Sequence, residues 1–271
     1  MILAVKPQYF ETVFEEIRPV LKEDQIVISL APGQTIASLT ERLGGKVRVV
    51  RTMPNTPALL GEGMTGMAYE ESNYSEEEKA VLRGIFEACG RLEVVDERMM
   101  DAVGCVSGCS PAYVYMFIEA LADGAVKYGL PRAKAYQMAA QTVLGSAKMV
   151  LETGKHPGQL KDEVCSPGGT TIAGVSALEE WGFRNAVIKQ KMPAMKRAGK
   201  CKCMWHIACT AGGGVKDQYS WNFFMSDFAR RVREYITYKR RRNMGKVENE
   251  GMPVVRLDRQ LKYQGNNPEN I

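Results

Sequence analysis

Short runs of apolar, β-branched residues alternate with helix-like segments through the first 95 residues, and this alternation constrains the fold more than any other feature. The clearest runs, residues 25–30 and 47–53, have the pattern of buried strands. Ser75 is followed three residues later by Glu78, which predicts a capping box at a helix start. Strands that alternate with helices are typical of a parallel, doubly wound sheet.

The same rules predict the other elements of this part. Apolar residues at helical spacing define helices, and glycine or proline ends them. Strands are predicted at residues 2–5, 25–30, 47–53, 64–69 and 92–95, and helices at residues 8–18, 35–43 and 75–88.

From Glu97 onward the pattern is helical throughout. Ser110 followed by Pro111 predicts an N-cap and a first helical turn. Long helices are predicted at residues 110–128 and 132–151, and further helices begin near Gly169 and Phe183. We therefore predict a partial doubly wound (Rossmann-like) α/β sheet in residues 1–96, followed by an all-α domain in residues 97–190.

Composition is that of an ordinary globular protein, with 45% hydrophobic and 25% charged residues. No apolar run approaches the roughly 20 residues that span a bilayer, so we expect no membrane partner. The first ten residues lack the pattern of a signal peptide. Seven scattered cysteines do not suggest a disulfide scaffold. We expect a reducing, cytoplasmic location.

Residues 191–271 differ from the rest. Acidic side chains predominate in residues 1–190 and basic ones after them, so the positive sign of the chain's net charge of +5 comes from this tail. We expect the tail to be poorly ordered and its basic run at 239–242 to be solvated, with no nucleic-acid partner. Its cysteines and histidine have a spacing unlike known zinc sites, and no metal is expected. These four are Cys201, Cys203, His206 and Cys209.

Residues 156–171, HPGQLKDEVCSPGGTT, describe a glycine-rich turn that enters a helix. Gly168 and Gly169 free the backbone, and the N–H groups of the next residues would lie on the first helical turn. Such N–H groups, at the positive end of the helix dipole, make an anion site that suits a small carboxylate. A plain capped helix fits the same motif, and both interpretations stay open.

Three predicted strands end in residues that a ligand could meet. In a doubly wound sheet, ligands bind at the carboxyl ends of the strands. Residues 4–7, 30–33 and 53–57 all follow strands and are expected to share that edge. A further segment, residues 106–113, has small residues before a helix, for which packing is the simpler explanation.

Taken together, these segments resemble one family. ILAVKPQ, VISLAPGQTI and RVVRTMPNTPALLGEG, followed by DAVGCVSGCSPAYVYMFIEALADGAVKYGLPR and HPGQLKDEVCSPGGTT, follow pyrroline-5-carboxylate reductase in order and spacing over about residues 1–190. The resemblance implies reduction of 1-pyrroline-5-carboxylate to L-proline by NADPH (NADP as the cofactor), with NAD(H) as the alternative. It also implies a homo-oligomer built on dimers, in which the helical domain dimerises.

The resemblance also implies roles for individual residues. A cofactor-contacting set follows two strands: Ala4, Val5, Lys6, Pro7, Leu30, Ala31 and Pro32. A substrate-side set consists of Glu97, Ser166, Gly168, Gly169, Thr170 and Thr171. Within it, Thr171 matches a position near the imine nitrogen and is the candidate catalytic residue. Glu163 stands where some members have a ligand-contacting asparagine, so that role is not carried over.

Two departures from the family keep an alternative open. The family begins with a G-x-G-x-x-G-like turn that cradles the pyrophosphate, whereas this chain begins at what matches the fourth strand. We therefore expect an N-terminally truncated member with an unrelated tail, and the alternative is a catalytically inactive, dimerising fragment. Another β-hydroxyacid-type dehydrogenase would be expected to carry a lysine on the long interdomain helix. Residues 113–126 contain none.

Overall fold

The computed structural model describes residues 1–5, 9–189 and 228–238. They form two compact units: a first unit of residues 1–108 together with residues 228–238, and a second unit of residues 109–189. The division falls at Gly108, later than the predicted boundary at Asp96. The predicted cofactor residues Lys6 and Pro7 lie outside the described residues. So do the cysteines and histidine of the tail and its basic run.

A five-stranded sheet organises the first unit, and its strands follow chain order from β1 to β5. Strands β1, β2 and β3 are parallel, as are β4 and β5, but β3 and β4 are antiparallel. The expectation of an entirely parallel sheet was therefore wrong at one pair. A parallel connection needs a crossover of a dozen or more residues, and only the short 3₁₀ turn Thr56–Leu60 joins β3 to β4. The strands are β1 (Ile2–Leu3), β2 (Ile26–Ser29), β3 (Arg48–Met53), β4 (Gly63–Ala68) and β5 (Gly90–Val94).

Helices cover both faces of this sheet, which confirms the predicted Rossmann-like α/β class. Alternate residues of a strand point to opposite faces. Val27 and Val49 accordingly pack with α1 and α2, whereas Ile28 and Val50 pack with α3. The predicted capping box at the start of α3 is present, since Ser75 and Glu78 exchange both hydrogen bonds. The helices are α1 (Phe10–Ile17), α2 (Ile36–Arg42), α3 (Glu76–Glu87) and the short α4 (Met100–Val103).

Residues 228–238 form a helix that packs in the core beside α3. The Phe228 and Phe86 rings lie 5.6 Å apart, and Arg231 Nη2 donates to the Leu59 carbonyl at 2.6 Å. Phe228, Val232 and Tyr235 are buried. The expectation of a poorly ordered tail therefore does not hold for this segment, because its apolar residues at positions 228, 232 and 235 share one helical face.

The chain passes between the two units through continuous helical structure. A 3₁₀ turn, Glu97–Met99, leads into α4, then into a π-helix, Gly104–Gly108, and then directly into α5 (Ser110–Lys127). Ser110 is the first residue of α5 and not its N-cap, and no side chain caps this helix start. The predicted cap was wrong because the preceding π-helix leaves no free helix terminus there.

The joined stretch Glu97–Lys127 has 31 residues and a mean hydropathy of 1.2 in its most apolar window. By length and composition alone it could cross a membrane, and it is the one such helix among the described residues. No such run was expected, because a new helix was predicted to begin at Ser110, inside the stretch. A core helix of a soluble protein can have the same length and composition. This property therefore indicates only that the apolar surface of the helix must be buried against something.

The second unit contains only helices. Helices α5 and α6 form an antiparallel hairpin through a turn at Gly129, as predicted. The short helix α7 was not predicted. The buried cluster of the second unit lies between α5 and α6 and consists of Ala122, Ala135 and Ala139. The other helices are α6 (Arg132–Thr153), α7 (Pro157–Glu163), α8 (Thr170–Glu180) and α9 (Phe183–Lys189).

Candidate functional site

The ends of β1 and β2 lie side by side at the carboxyl edge of the sheet. Leu30 N donates to the Leu3 carbonyl at 3.1 Å, which brings the predicted residues Ala4 and Val5 beside the loop that follows β2. Leu30, Ala31 and Pro32 are buried in this loop, and the next residue, Gly33, is exposed with φ of +74°. The described part of the cofactor set is thus brought together by the parallel pairing of two strands.

This edge fits the neutral parts of a dinucleotide better than its phosphates. Its walls are apolar side chains and backbone, which suit a ring or a ribose. The sequence pattern G-x-G-x-x-G does occur at residues 61–66, but Gly61 lies in a turn and Gly63 begins β4. A pyrophosphate cradle needs that turn to open a helix. The glycine pattern at residues 61–66 therefore does not form a pyrophosphate cradle.

The start of α8 is open, and no side chain caps it. Gly168 has φ of +67°, and Gly169, the N-cap, donates its N–H to the Ser166 carbonyl at 3.0 Å. A side chain at Gly169 would crowd the Ser166 hydroxyl and lie 3.1 Å from the Ser166 carbonyl oxygen, so glycine suits this close turn. Thr170 and Thr171 are the first two residues of the helix, and both are exposed. The first N–H groups of a helix have no partner within it.

Helix α7 and its flanks support the chain just before this turn. His156 Nδ1 accepts from the Gly158 N–H at 3.0 Å and caps α7. Lys155 Nζ lies 2.8 Å from Glu163 Oε1, and this hydrogen bond holds the pKa of Glu163 below its ordinary value. The pair links the end of α6 to the end of α7, so Glu163 already has a structural partner.

Glu97, predicted on the substrate side, lies in the first unit. Its Oε1 accepts from the Ile36 N–H at 2.7 Å, at the first residue of α2. The adjacent Asp96 caps the 3₁₀ turn, and hydrogen bonds from the Arg98 side chain and backbone lower the pKa of Asp96 to about 2. Asp96 is thus held ionised beside Glu97 at any ordinary pH.

Sequence reasoning placed Asn55 at this edge, within residues 53–57, without assigning it a contact, and it missed Arg51. Asn55 Nδ2 donates to the Ser107 carbonyl at 3.0 Å, and Asn55 Oδ1 accepts from the Met64 N–H at 2.9 Å. Asn55 therefore ties the end of β3 to β4 and to the π-helix. Arg51 lies buried within β3. An arginine directly after two valines of a predicted buried strand was the available signal, because a buried cation needs partners.

The predicted site residues thus form two groups. The described cofactor residues and Glu97 belong to the first unit, and the glycine-rich turn before α8 belongs to the second. Each group is local in space, although the first is assembled from three separate stretches of chain. Among the described residues no group of histidine, cysteine and acidic side chains could hold a metal.

The chain is similar to known pyrroline-5-carboxylate reductases. Residues 97–201 match the family described as pyrroline-5-carboxylate reductase dimerisation. Pyrroline-5-carboxylate reductase from Escherichia coli strain K12 is 52% identical over 197 residues, 73% of each chain. The solved pyrroline-5-carboxylate reductase from Coxiella burnetii is 38% identical with a TM-score of 0.68, over 73% of this chain and 74% of that one. The Plasmodium falciparum pyrroline carboxylate reductase structure with NADP bound is 37% identical with a TM-score of 0.66, over 73% and 79%.

Proposed function

The chain belongs to the pyrroline-5-carboxylate reductase family of NAD(P)H-dependent oxidoreductases, and from this premise we propose how its own residues take part in the reaction. Members of this family reduce 1-pyrroline-5-carboxylate to L-proline, the last step of proline biosynthesis. One hydride adds to the imine carbon, and one proton adds to the ring nitrogen. The chain must therefore hold a small carboxylate, orient a dinucleotide and provide a route for a proton.

The open start of α8 carries this proposal. Its unpartnered N–H groups and the positive end of the helix dipole favour an anion. Ser166 and Thr170 add hydroxyl donors at the same turn, and the close approach of Ser166 to Gly169 keeps the turn compact. The substrate carboxylate binds here, with Gly168 and Gly169 shaping the backbone around it.

Thr171 is the candidate for the proton that the product nitrogen needs. Its hydroxyl stands on the first turn of α8, one residue beyond the carboxylate site. A substrate anchored by its carboxylate would therefore have its ring within reach of a short hydroxyl. Thr171 donates a hydrogen bond to the ring nitrogen, or relays a proton to it, and Ser166 and Thr170 hold the carboxylate.

NADPH, with NADH as the alternative, supplies the hydride when it is bound. Ala4, Val5 and the loop of Leu30, Ala31 and Pro32 would hold its neutral parts at the carboxyl edge of the sheet. The relative solved with NADP bound supports this choice of cofactor. Lys6 and Pro7, outside the described residues, complete the set that the family resemblance implies.

A homodimer completes the second unit in this proposal. Its long helices expose large apolar side chains, among them Met116 at 67% and Leu144 at 48%. Exposure on this scale is unfavourable in water unless a second copy covers the helices. The match of residues 97–201 to a dimerisation family supports the same assembly. Larger oligomers would be built from this dimer, and the protein would act in the cytoplasm. Its partner in the reaction is a small-molecule substrate, and no macromolecular partner is proposed.

The first test is turnover and its loss in Thr171→Val, which removes a hydroxyl and preserves the shape. We expect NADPH oxidation coupled to proline formation, and a fall in kcat of about 10²-fold in the variant, the lower range of general acid help. Thr171→Ser should restore most of it. Ser176→Ala is the matched control, since it removes a hydroxyl that bonds to the Ile172 carbonyl on the same helix. Equal activity in Thr171→Val and Ser176→Ala would leave Thr171 a packing residue.

A second candidate function is that of a dimerising, catalytically inactive chain. The observation in its favour is that the glycine spelling at residues 61–66 enters a strand, so the described residues supply no pyrophosphate cradle. Such a chain would bind proline at the start of α8 and fail to bind NADPH. Calorimetry with each ligand separates the two: micromolar NADPH binding with turnover supports the reductase, and proline binding alone supports the inactive dimer.

A further inference from the structure

Glu97 ties the start of α2 to a distant part of the first unit. Its Oε1 accepts the N–H of Ile36, the first residue of α2, across 61 positions of sequence. That N–H is one of the groups that a helix leaves without an internal partner. A carboxylate that accepts from it also meets the positive end of the helix dipole. The contact is thus both a hydrogen bond and a charge interaction.

Arg51 anchors the other side of Glu97 to the sheet. Arg51 is only 7% exposed, and its Nη1 lies 3.4 Å from Glu97 Oε1. Its Nη2 lies at the same distance from Asp101 Oδ1 in α4. A buried guanidinium needs carboxylate partners, so this pair of contacts fixes the place of Glu97. One chain of contacts therefore runs from β3 through Glu97 to the first turn of α2.

The start of α2 carries a second, local cap. Thr35 is its N-cap, and the Thr35 hydroxyl accepts from the Ser38 N–H at 3.1 Å. This local bond is sufficient to begin a helix. Glu97 is therefore not needed to form α2, and its added effect is to fix where α2 begins. The loop of residues 30–35, which contains the proposed cofactor contacts, ends at that point.

We propose that Glu97 is a positioning residue for the cofactor loop of residues 30–35, acting through Ile36, and that it does not bind substrate. The inference rests on the proposed function for the identity of that loop. Asp101 shares Arg51 with Glu97 but, among the described residues, makes no hydrogen bond or ion pair to α2. Its neutralisation should therefore disturb the ion pair and leave the loop in place.

Three variants in the full chain separate the effects. Glu97→Ala removes both the acceptor and the charge. Glu97→Gln keeps an oxygen that can accept from Ile36 and removes only the charge. Asp101→Asn is the matched control, because it also removes one charge from the Arg51 cluster. Each variant is measured by amide hydrogen exchange of residues 31–36 and by separate KM values for NADPH and for pyrroline-5-carboxylate.

For Glu97→Ala we expect faster exchange across residues 31–36 and a KM for NADPH raised about tenfold, in line with the loss of a charge-assisted hydrogen bond. The KM for pyrroline-5-carboxylate should stay within about twofold. Glu97→Gln should regain most of the protection, and Asp101→Asn should resemble the unchanged chain. A raised KM for pyrroline-5-carboxylate with unchanged loop exchange would overturn the proposal and make Glu97 a substrate ligand. If the unchanged chain has no turnover, the proposed function fails, and exchange still decides the positioning role.

Discussion

The two units of this protein bury different kinds of residue. The first unit encloses large apolar side chains such as Phe10, Phe14, Phe86 and Met67, all with no measurable exposure. Among its described residues the second unit buries only small side chains, Cys109 and three alanines, and its long helices expose methionine, leucine and tyrosine. Burying a large apolar side chain contributes roughly 1.5–3 kcal/mol, against about 0.8 kcal/mol for one methylene-sized group.

This difference indicates where each unit obtains its stability. Fixing the backbone costs about 1–2 kcal/mol for each residue, which three buried methyl groups do not offset over the length of the second unit. The first unit can meet that cost within one chain. In the proposed dimer, the second unit would obtain most of its burial from another copy, so its folding and its association would be coupled.

The largest expected effect is therefore loss of the dimer by a charge on the second unit. Leu144→Asp places a carboxylate on the exposed apolar surface of α6, where a partner would have to bury it. We expect light scattering to report monomers at micromolar concentration and circular dichroism to report loss of helix. Thr142→Asp adds the same charge to the same helix at an exposed polar position on the side away from Leu144 and should remain dimeric. A stable, folded monomer of the unchanged chain would contradict the inference that the second unit needs a second copy to fold.

A smaller effect is expected where the first unit is tightly packed. A methyl group added at Gly84 in α3 would lie 1.7 Å from the Tyr235 hydroxyl oxygen, so Gly84→Ala should push the 228–238 helix off the core. Overpacking of this kind costs typically 1–3 kcal/mol, measured by urea unfolding. Hydrogen exchange of residues 228–238 should rise in parallel.

Two further variants sharpen that result. Gly84→Ala with Tyr235→Ala removes the clash, so the additional penalty of the methyl group should vanish. Gly124→Ala makes the same change in α5, where no described residue beyond the adjacent helix backbone lies within 4 Å of the added methyl group. There alanine should be neutral or stabilising by up to about 1 kcal/mol, because it favours helix. A loss at Gly124 as large as that at Gly84 would mean that a partner packs against that position.

The smallest expected effect is an acid sensitivity of the first unit. Arg48 donates two hydrogen bonds to Glu78, and these, with the Ser75 N–H, lower the pKa of Glu78 from 4.5 to about 2. Because the folded pKa is the lower one, Glu78 stabilises the fold above pH 4.5, and that contribution is lost as the pH falls through about 2.

Glu78→Gln should therefore flatten the decline of the melting temperature over this range. The change is expected to be modest, since the pair is near the surface and salt screens it. Glu77→Gln, a neighbour that faces solvent on the same helical turn, serves as the control and should leave the decline unchanged. Parallel melting curves for both variants would show that the Arg48 contact contributes little.

Local patterns in the sequence were sufficient for most of the secondary structure. The apolar runs at β2 and β3 and the capping box at Ser75 depend on residues a few positions apart. The glycine turn before α8 could be predicted for the same reason, because the left-handed backbone at Gly168, with φ of +67°, depends on the residue type at that position. The residues by themselves predicted only an anion site at this turn. The substrate was implied by the resemblance to a known family.

Contacts between distant residues were decided by the tertiary structure. The antiparallel direction of β4 depends on a short connection and on its neighbours, because the residue pattern of a strand is the same in either direction. The attachment of Glu97 to Ile36 spans 61 positions, and the docking of Arg231 on Leu59 spans 172. Such contacts depend on which apolar and polar surfaces remain exposed once the sheet has formed. The residue pattern within one segment therefore cannot predict its distant partners.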